Sequence, residues 1–480
     1  MLCSFGLMSL GLFAIVCLGL MRSFQISNRV CLNCTVEKFA SPPVSYNKPA
    51  NHPFDDRCQS YGPYTLSRGP AYFDRRPDES TVKILFFGPK TPELAVFSIS
   101  TISNGSHEQT QLSCTDRLFD SKAGRLIRKV EHPRWWRYLD CRKRASIDQH
   151  LINEASHVQL VFNEYVQSRH IITTNERSSR ECTLPLAVVP PIQRSKFESK
   201  PLRLDVCVKI MYGNYSDWMQ LMHFMEWWLY AGATHVWAYV ESSKSTDVDV
   251  VLRYYQNIRR TLTLLPSSWE DNPIKDSVHM LQIQDCNLRL SGHADFVAHV
   301  DWDEYMVVHP DARMNTKGYL LTHLERENRL NKNIGGWVLE RVYSVDFPSF
   351  PDYLKNTSDF QPQHLIESSS LHHSSLSNVQ KYLTSLPHDK LTVSKILSAI
   401  GKLIVRPERV LHQRIHSVID YLNGQISTKQ VEFNKLLTLH MRRKRKRKFP
   451  SPYADTMGNP LNMTYLESKL LDTVPIIRTI

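Results

Sequence analysis

Apolar runs and amphipathic stretches alternate between residues 204 and 308, and this rhythm limits the fold more than any other feature of the chain. Residues 204–210 form an apolar run without clean alternation, as expected of a strand buried on both faces. Asp217 is placed to cap a helix, with Gln220 three residues later. Trp218, Leu221, Met222, Met225 and Leu229 then recur at helical spacing, and Gly232 stops the pattern. Trp227 and Trp228 in the same helix read as core residues rather than as a surface for stacking sugars. Residues 235–240 read as a second strand, 247–259 as a helix and 261–265 as a third strand. A further helix over 279–290, ended near Gly292, precedes a strand over 296–300. Strands alternating with helices imply right-handed βαβ units and a mostly parallel sheet, so the fold class is α/β.

The last of these strands ends in acid. The stretch Asp295-Phe-Val-Ala-His-Val-Asp-Trp-Asp-Glu-Tyr-Met-Val-Val308 sets Asp301 and Asp303 two residues apart, and a second apolar run follows at once. In parallel sheets ligands bind beyond the carboxyl ends of the strands, where these two acids fall. A bare buried carboxylate is costly and takes a cation, an ion pair or water. Mg²⁺ and Mn²⁺ take oxygen ligands and share them with substrate phosphates. The pattern points to a metal-bridged sugar-nucleotide site. An exposed acidic turn is the plain alternative, and the strands and helices leading into the motif argue against it.

Residues 2–21 form an uncharged apolar stretch, long enough to cross a bilayer as a helix. A cleaved signal peptide fits less well, because no charged n-region precedes a run that is long for one. Arg22, Arg29 and Lys38 follow the stretch and no Lys or Arg precedes it, which by the positive-inside rule leans to the reverse orientation. The downstream chain argues for a lumenal body. It carries N-x-[ST] sequons at Asn33, Asn104, Asn214, Asn356 and Asn462, and eight cysteines outside the apolar stretch. An even set in a secretory setting reads as disulfides, with the pairing left open. Cys31-x-x-Cys34 has no second pair at zinc-finger spacing. The net charge of +12 is mostly local: residues 442–448 supply seven positive charges, leaving +5 for the rest. A solvated basic run therefore explains the balance better than a nucleic-acid-binding face.

Four blocks, in order, resemble glycosyltransferase family 92. Val206-Cys-Val-Lys-Ile-Met-Tyr-Gly-Asn-Tyr-Ser-Asp-Trp218 is similar to its first strand and loop. His223-Phe-Met-Glu-Trp-Trp-Leu-Tyr-Ala-Gly-Ala-Thr-His-Val-Trp237 resembles the following helix and strand. Gln284-Asp-Cys-Asn-Leu-Arg289 leads into the acid pair. Lys402-Leu-Ile-Val-Arg-Pro-Glu-Arg-Val-Leu-His-Gln-Arg-Ile-His416 resembles a distinctive late block. Two features depart from the pattern. Leu439-His-Met-Arg442 stands where the family has a His-Tyr-Arg-like segment, and the polar stretch before Lys402 is enlarged.

The resemblance implies a GT-A-like fold and inverting transfer of galactose from UDP-galactose to a glycan acceptor in the Golgi lumen. The expected organisation is a cytoplasmic end and transmembrane signal-anchor over 1–22, making a single-pass type II protein, and a stem over 23–80. A β-containing region follows over 81–200, with strand-like runs at 82–87, 94–102 and 158–162. The transferase domain spans 201–445 with a polar insertion at about 356–400, and a tail covers 446–480. Mn²⁺ or another divalent cation is the implied cofactor, with Asp301, Asp303 and His416 as ligands and Asp301 also available to the ribose. Lys209, Tyr212 and Arg289 are candidates for the nucleotide or its diphosphate. An inverting transfer needs one base for the acceptor hydroxyl. Glu340 is the candidate, with Asp346 second. The rival classes are a catalytically silent lectin-like membrane protein and a nuclear, nucleic-acid-binding protein. The intact acid pair argues against the first, and the absence of an aromatic-interleaved basic face argues against the second.

Overall fold

Strand β10 (Leu204–Met211) is the axis on which the α/β part is built, and its apolar run is buried along nearly its whole length. In this computed structural model the described residues are 60–61, 64–66, 70–77, 81–88, 98–103, 113–118, 135–142, 155–162, 180–190, 201–211, 215–240, 245–266, 275–309, 316–344, 349–356, 371, 375–395, 401–441 and 454–479. Helix α1 (Trp218–Ala231) follows β10. Asp217 caps it by accepting from the Gln220 amide at 3.0 Å, and Gly232 ends it at φ 108°. That φ suits glycine, and an added Cβ would also meet Gly318 and Leu321 at 3.0 Å. Next come β11 (Ala233–Val240), α2 (Thr246–Arg253) and β12 (Leu262–Pro266). The helix expected over 247–259 therefore divides, because residues Tyr254–Ile258 wind as a π-helical turn. Helix α3 (Lys275–Leu290) then leads into β13 (Phe296–Val300), in which every residue is buried.

Strands β12, β11, β10 and β13 lie side by side and parallel, with Val206 opposite both Val236 and Ala298. The rest departs from a simple parallel sheet. Strand β18 (Lys402–Val405) runs antiparallel to β13 and to β15 (Ile334–Leu339), and β21 (Ser427–Gln430) closes that edge. The run after the acid pair, β14 (Glu304–Val308), belongs to a second sheet. There β14 pairs with β22 (Leu436–Met441), β22 with β16 (Arg341–Ser344), β16 with β17 (Lys390–Lys395) and β17 with β23 (Ala454–Gly458). The acid pair thus sits in the crossing between two sheets.

Three boundaries move. Strand β17 and helix α6 (Leu376–Ser385) lie inside the segment expected to be an exposed insertion. The expected tail holds β23 and helix α7 (Met463–Ile477), whose Leu466, Leu470, Val474 and Ile477 are buried, a helical spacing that packs against the domain. The first strands begin inside the expected stem, and residues 54–480 form one compact unit. They belong to a nine-stranded sheet of β1 (Ser60–Tyr61), β2 (Tyr64–Leu66), β3 (Ala71–Asp74), β4 (Thr81–Gly88), β5 (Ser98–Ser103), β6 (Ser113–Leu118), β7 (Trp135–Arg142), β8 (Ala155–Phe162) and β9 (Arg180–Val189). The β6–β7 register sets Cys114 opposite Cys141. Among the described residues no helix is long and apolar enough to cross a membrane; residues 2–21 lie outside them.

Candidate active site

Five elements deliver charge to one place. β13 ends at Val300 and releases Asp301-Trp302-Asp303 into the crossing between the sheets. Trp302 turns inward, 5.1 Å from the ring of Phe224, and anchors the turn between its two acids. Glu304 opens β14 fully buried; its Oε2 accepts from the Asp301 amide at 2.8 Å. Lys402 enters from the start of β18, with Nζ 2.8 Å from Glu304 and 3.2 Å from Asp301 Oδ2. Arg341, at the start of β16, reaches Glu304 Oε1 at 3.2 Å. On β22, His440 meets Asp303 Oδ2 at 3.0 Å.

The electrostatics follow from these pairs. Burial would raise the Asp301 carboxyl, but the Lys402 charge, then His279, Lys209 and His440, outweigh it and hold the group well below the ordinary carboxylate range. Burial likewise opposes the charged form of His440, yet Asp303 and Glu304 raise its pKa above the ordinary histidine value. Lys402 is raised in the same way, its burial overcome by Glu304 and Asp301. His416 differs: burial pushes it down to about 4, so it is neutral at pH 7. Its Nδ1 lies 2.8 Å from the carbonyl of Gly401, which can only accept. Nδ1 therefore carries the proton and Nε2 keeps the lone pair, the tautomer a metal ligand needs.

The donor set suits a hard divalent ion. Asp301 Oδ1 is a buried acceptor with no hydrogen-bond partner, and the Asp303 carboxylate is one-third exposed. No three His, Cys, Asp or Glu side chains converge into a ready cage among the described residues. Lys402 occupies one oxygen of Asp301, His440 one of Asp303, and His416 is bonded to Gly401. Such ions commonly complete their shell with substrate phosphates and water.

Of the residues expected to contact the nucleotide, Lys209 lies close enough for its charge to act on Asp301 and His279. Tyr212 lies outside the described residues. Arg289, expected at the diphosphate, pairs with Asp285 one turn back, at 3.2–3.3 Å. Asp285 also accepts from the hydroxyls of Tyr72 and Tyr239. The block around it is a lock: Gln284 and Asn287 bond to Gln413 at 2.9 Å, and Cys286 joins Cys207 in a disulfide. Glu340 is half-buried at the junction of β15 and β16, where its carbonyl accepts from the Thr438 amide at 2.7 Å. Asn462 caps α7, and its Nδ2 donates to Tyr230 at 2.9 Å. Helix α4 (Tyr319–Leu330) precedes helix α5 (Phe350–Asn356), which ends at Asn356; Asn33, Asn104, Asn214 and Asp346 lie outside the described residues. Trp227 and Trp228 are fully buried.

Four contributors were not anticipated: Glu304, Arg341, Lys402 and His440. Glu304 adjoins the motif and Lys402 opens the late block, so both carried a signal. His440 lies in the segment that departs from the family pattern.

An acid pair outside the carboxyl edge of a parallel sheet is the layout of a nucleotide-binding α/β enzyme. The chain belongs to glycosyltransferase family 92, whose model matches residues 203–473, and it is a glycosyltransferase. Among solved structures, weak similarity extends to residues 1–349 of TarS from S. aureus, at 14% identity over 30% of this chain and 36% of that one, with a TM-score of 0.20. GalNAc-T7 with UDP, GalNAc and Mn²⁺ gives 10% identity over 81% and 61%, with a TM-score of 0.27. A glucose-1-phosphate thymidylyltransferase described as putative, from Bacillus anthracis, gives 9% over 58% and 96%, with a TM-score of 0.24. At these scores none of the three carries an argument. No curated protein sequence matches.

Proposed function

We propose that this protein is a GT-A-like, inverting, metal-dependent transferase that moves galactose from UDP-galactose to a glycan acceptor in β-linkage. The observation that carries the reading is the acid pair at the end of β13, with Asp301 Oδ1 unpaired and Asp303 partly exposed. Asp303, Asp301 and His416 would hold Mn²⁺, which when bound neutralises charge on the departing diphosphate. Lys209 adds positive charge on the same side. Glu340 takes the proton of the acceptor hydroxyl; the freed oxygen pair attacks the anomeric carbon from the face opposite UDP. The bond to the diphosphate breaks, its electron pair leaves with UDP, and the configuration inverts.

A Golgi-lumenal site on a type II membrane protein agrees with the Cys207–Cys286 disulfide, since such bonds persist in oxidising compartments. The test is a screen of UDP-sugars for transfer and hydrolysis, with and without Mn²⁺. Activity with UDP-galactose that vanishes in EDTA supports the proposal, and full activity in EDTA refutes its metal part. Glu340→Gln should still bind donor while transfer falls roughly 10²–10⁴-fold; near-normal transfer moves the base to Asp346.

A further inference from the structure

The two acids are held unequally. Asp303 rests on one imidazole near the surface, whereas Asp301 is gripped from inside. Lys402 Nζ, in a side chain only 2% exposed, bonds the Asp301 carboxylate and Glu304 together. Glu304 in turn accepts from the Asp301 amide and is steadied by Arg341. Side chain and main chain of Asp301 are thus tied into one ring through Lys402 and Glu304. Of the two Asp301 oxygens, the ring occupies Oδ2 and leaves Oδ1 without a donor.

We propose that Lys402 is a positioning residue: through Oδ2 it fixes the Asp301 carboxylate in place beside Asp303. The kinetic part of this inference rests on the functional reading above; the structural part does not. Lys402 also offsets the charge of Asp301 from inside, as His440 does that of Asp303 nearer the surface. Without Lys402 both oxygens of Asp301 are released and its charge is uncovered. A cation would then be held at least as tightly, in the wrong place.

The test is a crystal structure and a kinetic analysis of Lys402→Met. Should burial of Glu304 against Met prevent folding, Glu304→Gln/Lys402→Met removes both charges together and serves in its place. The proposal expects the Asp301 carboxylate to leave its position and transfer per folded molecule to fall roughly 10–100-fold, as for other residues that orient ligands. It also expects no rise in the Mn²⁺ concentration for half-maximal rate, and partial recovery in Lys402→Arg. An unmoved carboxylate overturns it, as does a rate loss that only tracks the unfolded fraction. A parallel rise in the Mn²⁺ requirement overturns it too. If the wild-type protein transfers no sugar from any donor, the functional reading fails, and the position of Asp301 in the variant still decides the role of Lys402.

Discussion

Two of the buried charge clusters among the described residues are finished to different degrees. In the N-terminal sheet, Asp74 accepts from Arg76 Nε and NH2 at 2.8 Å and from Lys83 at 2.6 Å. The remaining guanidinium nitrogen of Arg76 donates to the carbonyls of Pro407 and Val410 at 2.6 and 2.9 Å. Both Asp74 oxygens and every guanidinium nitrogen are used. At the crossing between the other two sheets, Asp301 Oδ1, His440 Nδ1 and Arg341 Nε are buried with no hydrogen-bond partner. A buried polar atom left unpaired costs about 1–3 kcal/mol, so a fold retains it where something else pays that cost. The saturated cluster is a rivet that fastens the N-terminal sheet to the late block; the unsaturated one surrounds the acid pair to which the proposed function assigns the ligand.

The rivet reading makes the largest demand. Asp74→Asn leaves Arg76 and Lys83 buried without their counter-charge, which should cost roughly 3–5 kcal/mol in urea unfolding. Transfer per folded molecule should change little. A loss of rate without a loss of stability would erase the distinction between the clusters. Acid sharpens the same point. Burial would raise Asp74, but Arg76 and Lys83 override it and hold its carboxyl far below the ordinary carboxylate value of 3.8. Above that value both states are deprotonated and the full stabilisation is present. As pH falls through it, the unfolded chain takes up a proton that the folded one refuses, and stability is lost. Below about pH 4 the wild-type stability should therefore fall more steeply than that of Asp74→Asn, by about 1.4 kcal/mol per pH unit for one proton.

Asp303→Ala is the converse. Its side chain is one-third exposed and bonded to one imidazole, so unfolding should shift by less than about 1 kcal/mol. Transfer should drop on the order of 10²–10³-fold, the usual cost of one group that stabilises developing charge. An Asp303→Ala protein that unfolds readily would make this cluster a second rivet.

Much of this was legible in the chain because local rules apply there. The 296–300 strand, the Asp217 cap and the Gly232 stop need only apolar spacing and near-neighbour hydrogen bonds, and the structure keeps all three. The acid pair was visible for the same reason. What the chain hid is pairing at long range. Lys402 meets Asp301 across 101 residues and His440 meets Asp303 across 137, through an antiparallel strand and a second sheet that no local spacing announces. The setting of Arg289 was hidden in the same way: it pairs with Asp285 one turn back, and Tyr72 reaches that carboxylate from the N-terminal sheet. Helix α7 runs through Pro475 in its last turn, where packing of Leu466, Leu470, Val474 and Ile477 outweighs the residue's local preference.

The smallest and most discriminating effect concerns the two imidazoles. His416 is neutral with Nε2 left as the lone-pair nitrogen, as a ligand requires, whereas His440 is drawn toward its charged form by Asp303. His416→Ala should therefore raise the Mn²⁺ needed for half-maximal rate, roughly 10–100-fold, and excess Mn²⁺ should restore most of the activity. His440→Ala removes a partner of Asp303 rather than a ligand, so added Mn²⁺ should recover little of a milder rate loss. Rate against Mn²⁺ concentration for the two variants separates them. If the patterns exchange, with His440→Ala rescued and His416→Ala not, the ion sits on the β22 side of Asp303. His416 would then be a structural histidine fastened to Gly401, and the open cluster would run from Asp301 to His440.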